Sequence, residues 1–455
     1  MANDFGTDNR AYVPEVWAQE SLMVLEENMV ATNLVHRDFE NEVAQYGDVV
    51  NTRKPGEFTA KRKIDSDEVT VQNATAERVQ VRLNQHLHTS FMIKDGEMSK
   101  SFKDLVAEFL VPAVRSIARA ADQVVLNQVY QFQNNMVGKL STDLSKATVV
   151  NANTVMNKNK VPNEPGSRNL ILTPNAEGAL LNVAEFTKVN EAGDGGQALR
   201  NAMIGRLFGF DCYMCQNTPS VDSTQTVNTA QVNNGTGYAK GATAITIDST
   251  SETFVTGQWI TIAGDMTPQM IITASGTPTT SIVITPGLRS AVEDDAAITV
   301  YPVGRVNLSA GYPAGWVKSI VVDNFTDAPL TGQMLSHGVT ANDLKTYGLI
   351  GTPTDVLLDL DREVETTMAH HNQLAVGPAG EYCFGFHPNA VSFVSRPLAT
   401  VSSEYGARQA VASYNGLSMR VSMQYDGNKQ GMLVTVDMLC GVKALDTALG
   451  VVVCG

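Results

Sequence analysis

Little in this 455-residue chain invites covalent chemistry or a membrane. Cysteine occurs five times, and an odd number scattered over a long chain is not a disulfide framework. Cys212-x-x-Cys215 is the one close pair. It sits in Phe210-Asp-Cys-Tyr-Met-Cys, which reads as a strand, where residues i and i+3 face opposite sides. No second pair stands at zinc spacing, so ordinary buried thiols are expected. No apolar run approaches the ~20 residues of a membrane helix. Met1-Ala-Asn-Asp-Phe-Gly is polar, without the apolar core of a signal peptide, so folding in a cytoplasm is expected. Positive charge is also scarce. Lys and Arg number 33 against 47 Asp and Glu, a net −14. That excludes a phosphate-gripping surface spread over the protein and favours solubility.

Catalytic patterns are missing as well. There is no Gly-x-Ser-x-Gly elbow, no His-Glu-x-x-His pair and no Gly-Lys-Ser/Thr phosphate loop. Gly193-Asp-Gly-Gly lacks the lysine and reads as a hinge. His370-His371 reads as an exposed turn, because adjacent histidines diverge. His86-x-His88 shares one strand face but has no third ligand in view. Asp359-Leu-Asp361 lacks the glycine and distal Glu of a calcium loop. No enzymatic activity, cofactor or metal is expected.

What the chain does have is a tandem repeat. Gly237-Tyr238 with Gly241 recurs as Gly311-Tyr312 with Gly315. Thr256-Gly257-Gln258 recurs as Thr331-Gly332-Gln333, and Gly276-Thr-Pro-Thr279 as Gly351-Thr-Pro-Thr354. Asp294-Asp295 falls opposite His370-His371. The offset drifts only from 74 to 76 residues, so two units of one design are expected at about 236–304 and 310–378. Their Thr, Val and Ile content with Gly and Pro turns predicts all-β structure. Residues 220–235 have linker composition.

The flanks differ. Pro14 suits the first turn of a helix through Trp17, Val24 and Met29, marginal without a surface to dock on. Val79, Val81, Leu83, Leu87, Phe91 and Ile93 share one parity, predicting a half-buried strand within a long hairpin over 49–95. Its cover is either this chain's own core or a neighbouring subunit. Ser101-x-x-Asp104 resembles a capping box opening a helix over 101–133 about 50 Å long, with Pro112 kinking or breaking it. Asn169-Leu-Ile-Leu reads as a strand, Ala176–Phe186 and Gln197–Ile204 as helices, and Gly209–Gln216 as a strand. Met419–Tyr425 and Met432–Met438 read as a hairpin around Asp426-Gly427-Asn428, and the chain closes on a short strand.

Asn169-Leu-Ile-Leu-Thr-Pro-Asn-Ala-Glu-Gly-Ala-Leu-Leu, then Ile204-Gly-Arg-Leu-Phe-Gly-Phe-Asp-Cys-Tyr-Met-Cys-Gln-Asn-Thr-Pro219, resembles the axial domain of tailed-phage major capsid proteins. Phe386-His-Pro-Asn-Ala-Val-Ser-Phe-Val-Ser-Arg-Pro397 and Asp437-Met-Leu-Cys-Gly441 resemble that family's returning segments. Tyr12-Val-Pro-Glu-Val-Trp17 with Asn33-Leu-Val-His-Arg-Asp38 resembles its amino-terminal arm. The resemblance implies an α+β chain with the Hong Kong 97-like capsid fold. The arm would span 1–48, the extended loop 49–95, and the peripheral domain with its spine helix 96–140. The axial domain and returning strands would take 141–218 and 382–455. An inserted β domain at 219–381 resembles that of the short-tailed Salmonella phage coat proteins, which carry one inserted barrel where this chain has two units. Lys54, Lys61 and Lys63 do not align with the lysine through which some relatives cross-link their loops.

The implied function is a structural coat protein that self-assembles, as pentamers and hexamers, into the icosahedral head enclosing double-stranded phage DNA. Scaffolding, portal and decoration proteins would be partners, with no sequence-specific DNA contact and no membrane. The location would be the virion, with assembly in the host bacterial cytoplasm. Candidate inter-subunit residues are Arg53, Lys54, Lys61, Arg62 and Lys63 on the loop, and Trp17 in the arm; a solvated basic face is the plainer reading of the loop cluster. An encapsulin-type bacterial compartment and an extracellular β-repeat binding protein are the alternatives.

Overall fold

The computed structural model describes residues 14–37, 49–54, 60, 62–63, 71, 77–95, 109–140, 142–183, 204–221, 228–248, 254–315, 317–325, 328–338, 344–400, 407–414 and 416–455. The chain divides into two units. One comprises Met1–Asn28, Val35–Ala118 and Val391–Leu445; the other Met29–Leu34, Arg119–Ala390 and Asp446–Gly455.

The first unit is built on an antiparallel sheet. Its longest strand, Gly431–Ala444, pairs along one edge with Gln85–Lys94 and along the other with Leu417–Asp426 and Val391–Arg396; Ala407–Tyr414 lies beyond Leu417–Asp426. The helix Pro14–Asn28 packs on Ala407–Tyr414 and Leu417–Asp426, burying Trp17, Leu22 and Leu25. Burying such side chains is worth roughly 1.5–3 kcal/mol each, which is how a helix marginal by itself becomes ordered. The hairpin expected over 49–95 is instead split. Val49–Lys54 pairs with Glu77–Arg82 as a two-stranded sheet, whereas 85–94 joins the larger sheet. The parity read from sequence survives the break, since Val81, Leu83 and Ile93 are all buried. The transition falls where a Cβ at Gly441 would collide with the Arg82 carbonyl, so glycine lets the two backbones cross.

The second unit holds a seven-stranded mixed sheet, ordered Met136–Gly138, Gly450–Cys454, Gly380–Phe386, Asn169–Leu172, Phe210–Met214 and Arg206–Leu207, with Ser220–Val221 also paired to Gly380–Phe386. Asn169–Leu172 is buried throughout, as its apolar sequence requires of an interior strand. Thr173 caps the following helix, Pro174–Leu181, accepting from Ala176 N at 3.1 Å. The helix expected to run to Phe186 ends at Leu181, with Asn182 as its C-cap; the helix over 197–204 falls almost wholly outside the described residues, as does Gly193-Asp-Gly-Gly.

Between Ser220–Val221 and Gly380–Phe386 stand two closed six-stranded barrels. The first uses strands from Asn228–Val232 to Ala297–Val300, the second from Val303–Val306 to Gln373–Val376. The repeat therefore begins earlier than its Gly-Tyr signature. Asn228-Thr-Ala-Gln-Val, which has linker composition, is a strand with Ala230 and Val232 facing the barrel core. The signature residues mark turns. Gly237 and Gly311 have φ +65° and +63°, and Asp295 and His371 adopt φ 57° and 63°. Each repeated tyrosine then accepts a backbone amide in its own barrel: Tyr238 Oη from Thr246 N at 2.8 Å, Tyr312 Oη from Val321 N at 2.7 Å.

The long helix also differs from expectation. Within the described residues the helix winds as π at 109–110 and as α over Val111–Leu126, with Pro112 just past the change of winding. It then tightens to a 3₁₀ segment, Asn127–Asn135, bent at Phe132 (φ −97°, ψ 19°). Residues 101–108 lie outside the described residues.

Candidate assembly surfaces

Arg53 and Lys54 end the strand Val49–Lys54, and the register sets Arg53 opposite Arg78 and Lys54 opposite Glu77. Arg62 and Lys63 are exposed, and Lys61 lies outside the described residues. Two strands do not make an independently stable sheet. This pair is rooted at one end, where Val81 and Leu83 pack with Val394 and Leu439. Trp17, expected at a subunit contact, is only 2 % exposed within its own unit, so its indole surface is already covered by this chain.

Sequence reasoning missed a charge network on the large sheet. Asp437, buried on the central strand, accepts from Arg420 Nε at 3.0 Å and lies 3.1 Å from His86 Nε2. The register places Asp437 opposite both Arg420 and His88. The third group beside the His86-x-His88 pair is thus a carboxylate, but the guanidinium holds it. Among the described residues no group of three His, Cys, Asp or Glu side chains is placed to hold a metal. Only pairing across strands reveals this network, because 351 residues separate His86 from Asp437.

The thiols are buried or half-buried. Burial pushes Cys212 up to about 12 and Cys215 up to about 11, so both stay protonated and unreactive at neutral pH. His370 and His371 form an exposed turn with ring centroids 3.7 Å apart.

Two concavities stand out in the second unit. A groove of about 810 Å³ runs beside the helix Pro174–Leu181, where Glu381 accepts from Thr173 Oγ1 and Asn175 Nδ2. A cleft of about 240 Å³ lies between the 3₁₀ segment and the barrels, lined by Tyr130, Gln133, Trp259, Lys345, Arg362 and Glu365. Its charges pair with one another: Lys345–Glu365 at 3.9 Å and Arg362–Glu365 at 3.2 Å. Neither concavity gathers a nucleophile, a base and an oxyanion donor, the geometry that acyl or phosphoryl chemistry needs.

Residues 39–259 match the family model described as phage capsid protein. No curated protein sequence matches the chain. Among solved structures, the chain is similar to one of Mycobacterium phage Che8 (12 % identity, TM-score 0.46, 93 % of this chain and 90 % of that one). Another is the capsid of the cyanophage P-SCSP1u (10 %, 0.42, 90 % and 83 %). A third is the mature capsid of bacteriophage PhiM1 (10 %, 0.42, 89 % and 81 %). Over residues 39–259, just under half of its length, the chain is similar to the phage capsid protein family.

Proposed function

We propose that this chain is the major subunit of a tailed-phage head, folded in the Hong Kong 97 manner and assembling as pentamers and hexamers around double-stranded DNA. The family match over residues 39–259 carries this reading. It spans the two-stranded projection, the long helix and most of the mixed sheet. In this reading residues 1–48 are the arm, 49–95 the extended loop, 96–140 the peripheral domain, 141–218 and 382–455 the axial domain, and 219–381 an insertion.

The mechanism is geometric. A projection with only two strands gains cover from an adjacent subunit, and Arg53, Lys54, Lys61, Arg62 and Lys63 meet acidic surface on a chain of net charge −14. Obligate contacts of this kind bury roughly 2,000–5,000 Å². The acidic wall contains DNA without gripping it. Assembly in the host bacterial cytoplasm, together with scaffolding, portal and decoration partners, belongs to the same reading, and no catalytic step is required of the chain.

Electron microscopy of the purified protein tests it. Closed particles or capsomers are expected, and a stable monomer at high concentration would overturn it. Replacing residues 55–76 with a short turn should abolish particles while leaving the circular dichroism spectrum of the subunit intact. The phage capsid match does not favour the encapsulin and adhesin alternatives.

A further inference from the structure

The 3₁₀ stretch Asn127–Asn135 is two pieces that meet at the kink of Phe132, and the first, 127–131, is itself five residues long, whereas such runs rarely exceed three or four because their hydrogen bonds are poorer than those of an α-helix. Its sequence carries the apolar spacing of the helix before it, so α-helix would be expected to continue. The end of the segment is held by the mixed sheet, where Asn135 Nδ2 donates to the Thr447 and Gly450 carbonyls at 2.8 and 3.0 Å and Phe132 packs on Phe384; the hydrogen bonds at Tyr130, Gln133 and Asn134 come from the barrels. Tyr130, 2 % exposed, donates from Oη to the Gly332 carbonyl at 2.6 Å. Thr346 Oγ1 donates back to the Tyr130 carbonyl at 2.8 Å. Gln133 Nε2 meets Met334 Sδ. A Cβ on Gly348 would stand 2.8 Å from Asn127, so the second barrel lies directly on the helix. From the first barrel, Arg289 Nη2 donates to the Asn134 carbonyl at 3.0 Å. Just past the segment, Leu140 N donates to the Met266 carbonyl at 3.0 Å.

The barrels are also joined to each other. Trp259, on the first barrel but outside its core cluster, is 1 % exposed and donates from Nε1 to Ser336 Oγ of the second at 2.7 Å. Met334 occupies the equivalent strand position in the second barrel, is equally buried and faces the helix segment instead. One position of the repeat has therefore diverged into two docking roles, barrel on barrel and barrel on helix.

We infer that the two barrels form a single brace that holds residues 127–135 in the 3₁₀ form and so sets how the long helix enters the strand Met136–Gly138. They are not separable decorations. The inference concerns the subunit and does not rest on the shell reading. Amide hydrogen exchange on the full chain tests it. Ile298→Ala weakens the first barrel's core at a residue fully buried there. Exchange in 127–138 and in the second barrel should accelerate by about tenfold along with the first barrel. Acceleration confined to 228–300 would overturn the brace. Tyr130→Phe removes one hydroxyl and should accelerate exchange at 331–337 by about tenfold, as expected when a buried carbonyl loses its partner. Unchanged exchange there would equally overturn it.

Discussion

Asp122 on the long helix holds Thr32: one carboxylate oxygen accepts from Thr32 N at 3.0 Å and from Thr32 Oγ1 at 2.8 Å, while the other accepts from Val30 N at 2.9 Å. Asp122 and Thr32 are both fully buried. Removing the acceptor strands buried donors, at about 1–3 kcal/mol each. Asp122→Ala should therefore lower the urea-derived stability by about 3 kcal/mol. Burial holds the Asp122 carboxyl above its ordinary 3.8, with the hydrogen bonds from residues 30–32 pulling partly the other way. Its protonation contributes stability that is complete below the unfolded value and lost as pH rises through the folded one. Asp122→Asn should remove that part of the pH dependence.

The second barrel should be more acid-labile than the first. His337 is buried between Thr366 Oγ1 at 3.3 Å and Asn372 Nδ2 at 3.0 Å, and burial lowers its pKa below 6.5. The stability tied to its neutral form is present above the unfolded value and disappears as pH falls through the folded one. At the corresponding strand position the first barrel has Ile262. Urea midpoints measured from pH 7 to pH 5 should fall in the native chain and fall less in His337→Gln.

Two repeat glycines should respond differently to alanine. At Gly311, φ is +63° and a Cβ would sit 2.5 Å from the Met368 carbonyl. At Gly241 φ is +92° but nothing lies within 4 Å. Gly241→Ala bears only the left-handed backbone cost, about 1–2 kcal/mol, whereas Gly311→Ala must also displace the Met368 backbone. Thermal denaturation should show the second loss to be clearly larger.

Trp17→Ala should release the amino-terminal helix. Truncating a fully buried tryptophan costs about 3–5 kcal/mol, and limited proteolysis should then cut within 14–28. Met23, 61 % exposed on the same helix, should tolerate alanine with no change in cleavage.

Local signals were legible wherever a residue's role was local. The parity of 79–93 and the turn at 426–428 read directly, and Asn428 N does bond Asp426 Oδ1 at 3.0 Å. The tandem repeat was legible because its shared residues are the ones that need left-handed backbone or close approach, as at Gly237, Gly311 and His371. What could not be read depends on partners distant in sequence. The split of the hairpin at Leu83 follows from where Gly431–Ala444 lies, and the 3₁₀ winding of 127–135 follows from barrels about 200 residues onward, as Tyr130 and Gly332 show. Asn228–Val232 reads as linker because only Ala230 and Val232 report the core. Of the candidate contact residues, Trp17 proved to be core because an aromatic in a marginal helix looks the same from sequence whether its cover is intra- or intermolecular.

The chain leaves the mixed sheet at Ser220–Val221 and rejoins it at Gly380–Glu381, and these two ends pair with each other, Val221 with Gly380 and Ser220 with Glu381. To the sheet, the whole excursion is no wider than a hairpin turn. A segment that departs and returns at one point can be copied in tandem without moving any strand of its host, so doubling it costs little loop entropy. Ancestry can thus lengthen this chain freely here, even though the folded subunit, once it holds its helix by Tyr130 and Met334, can no longer do without the addition.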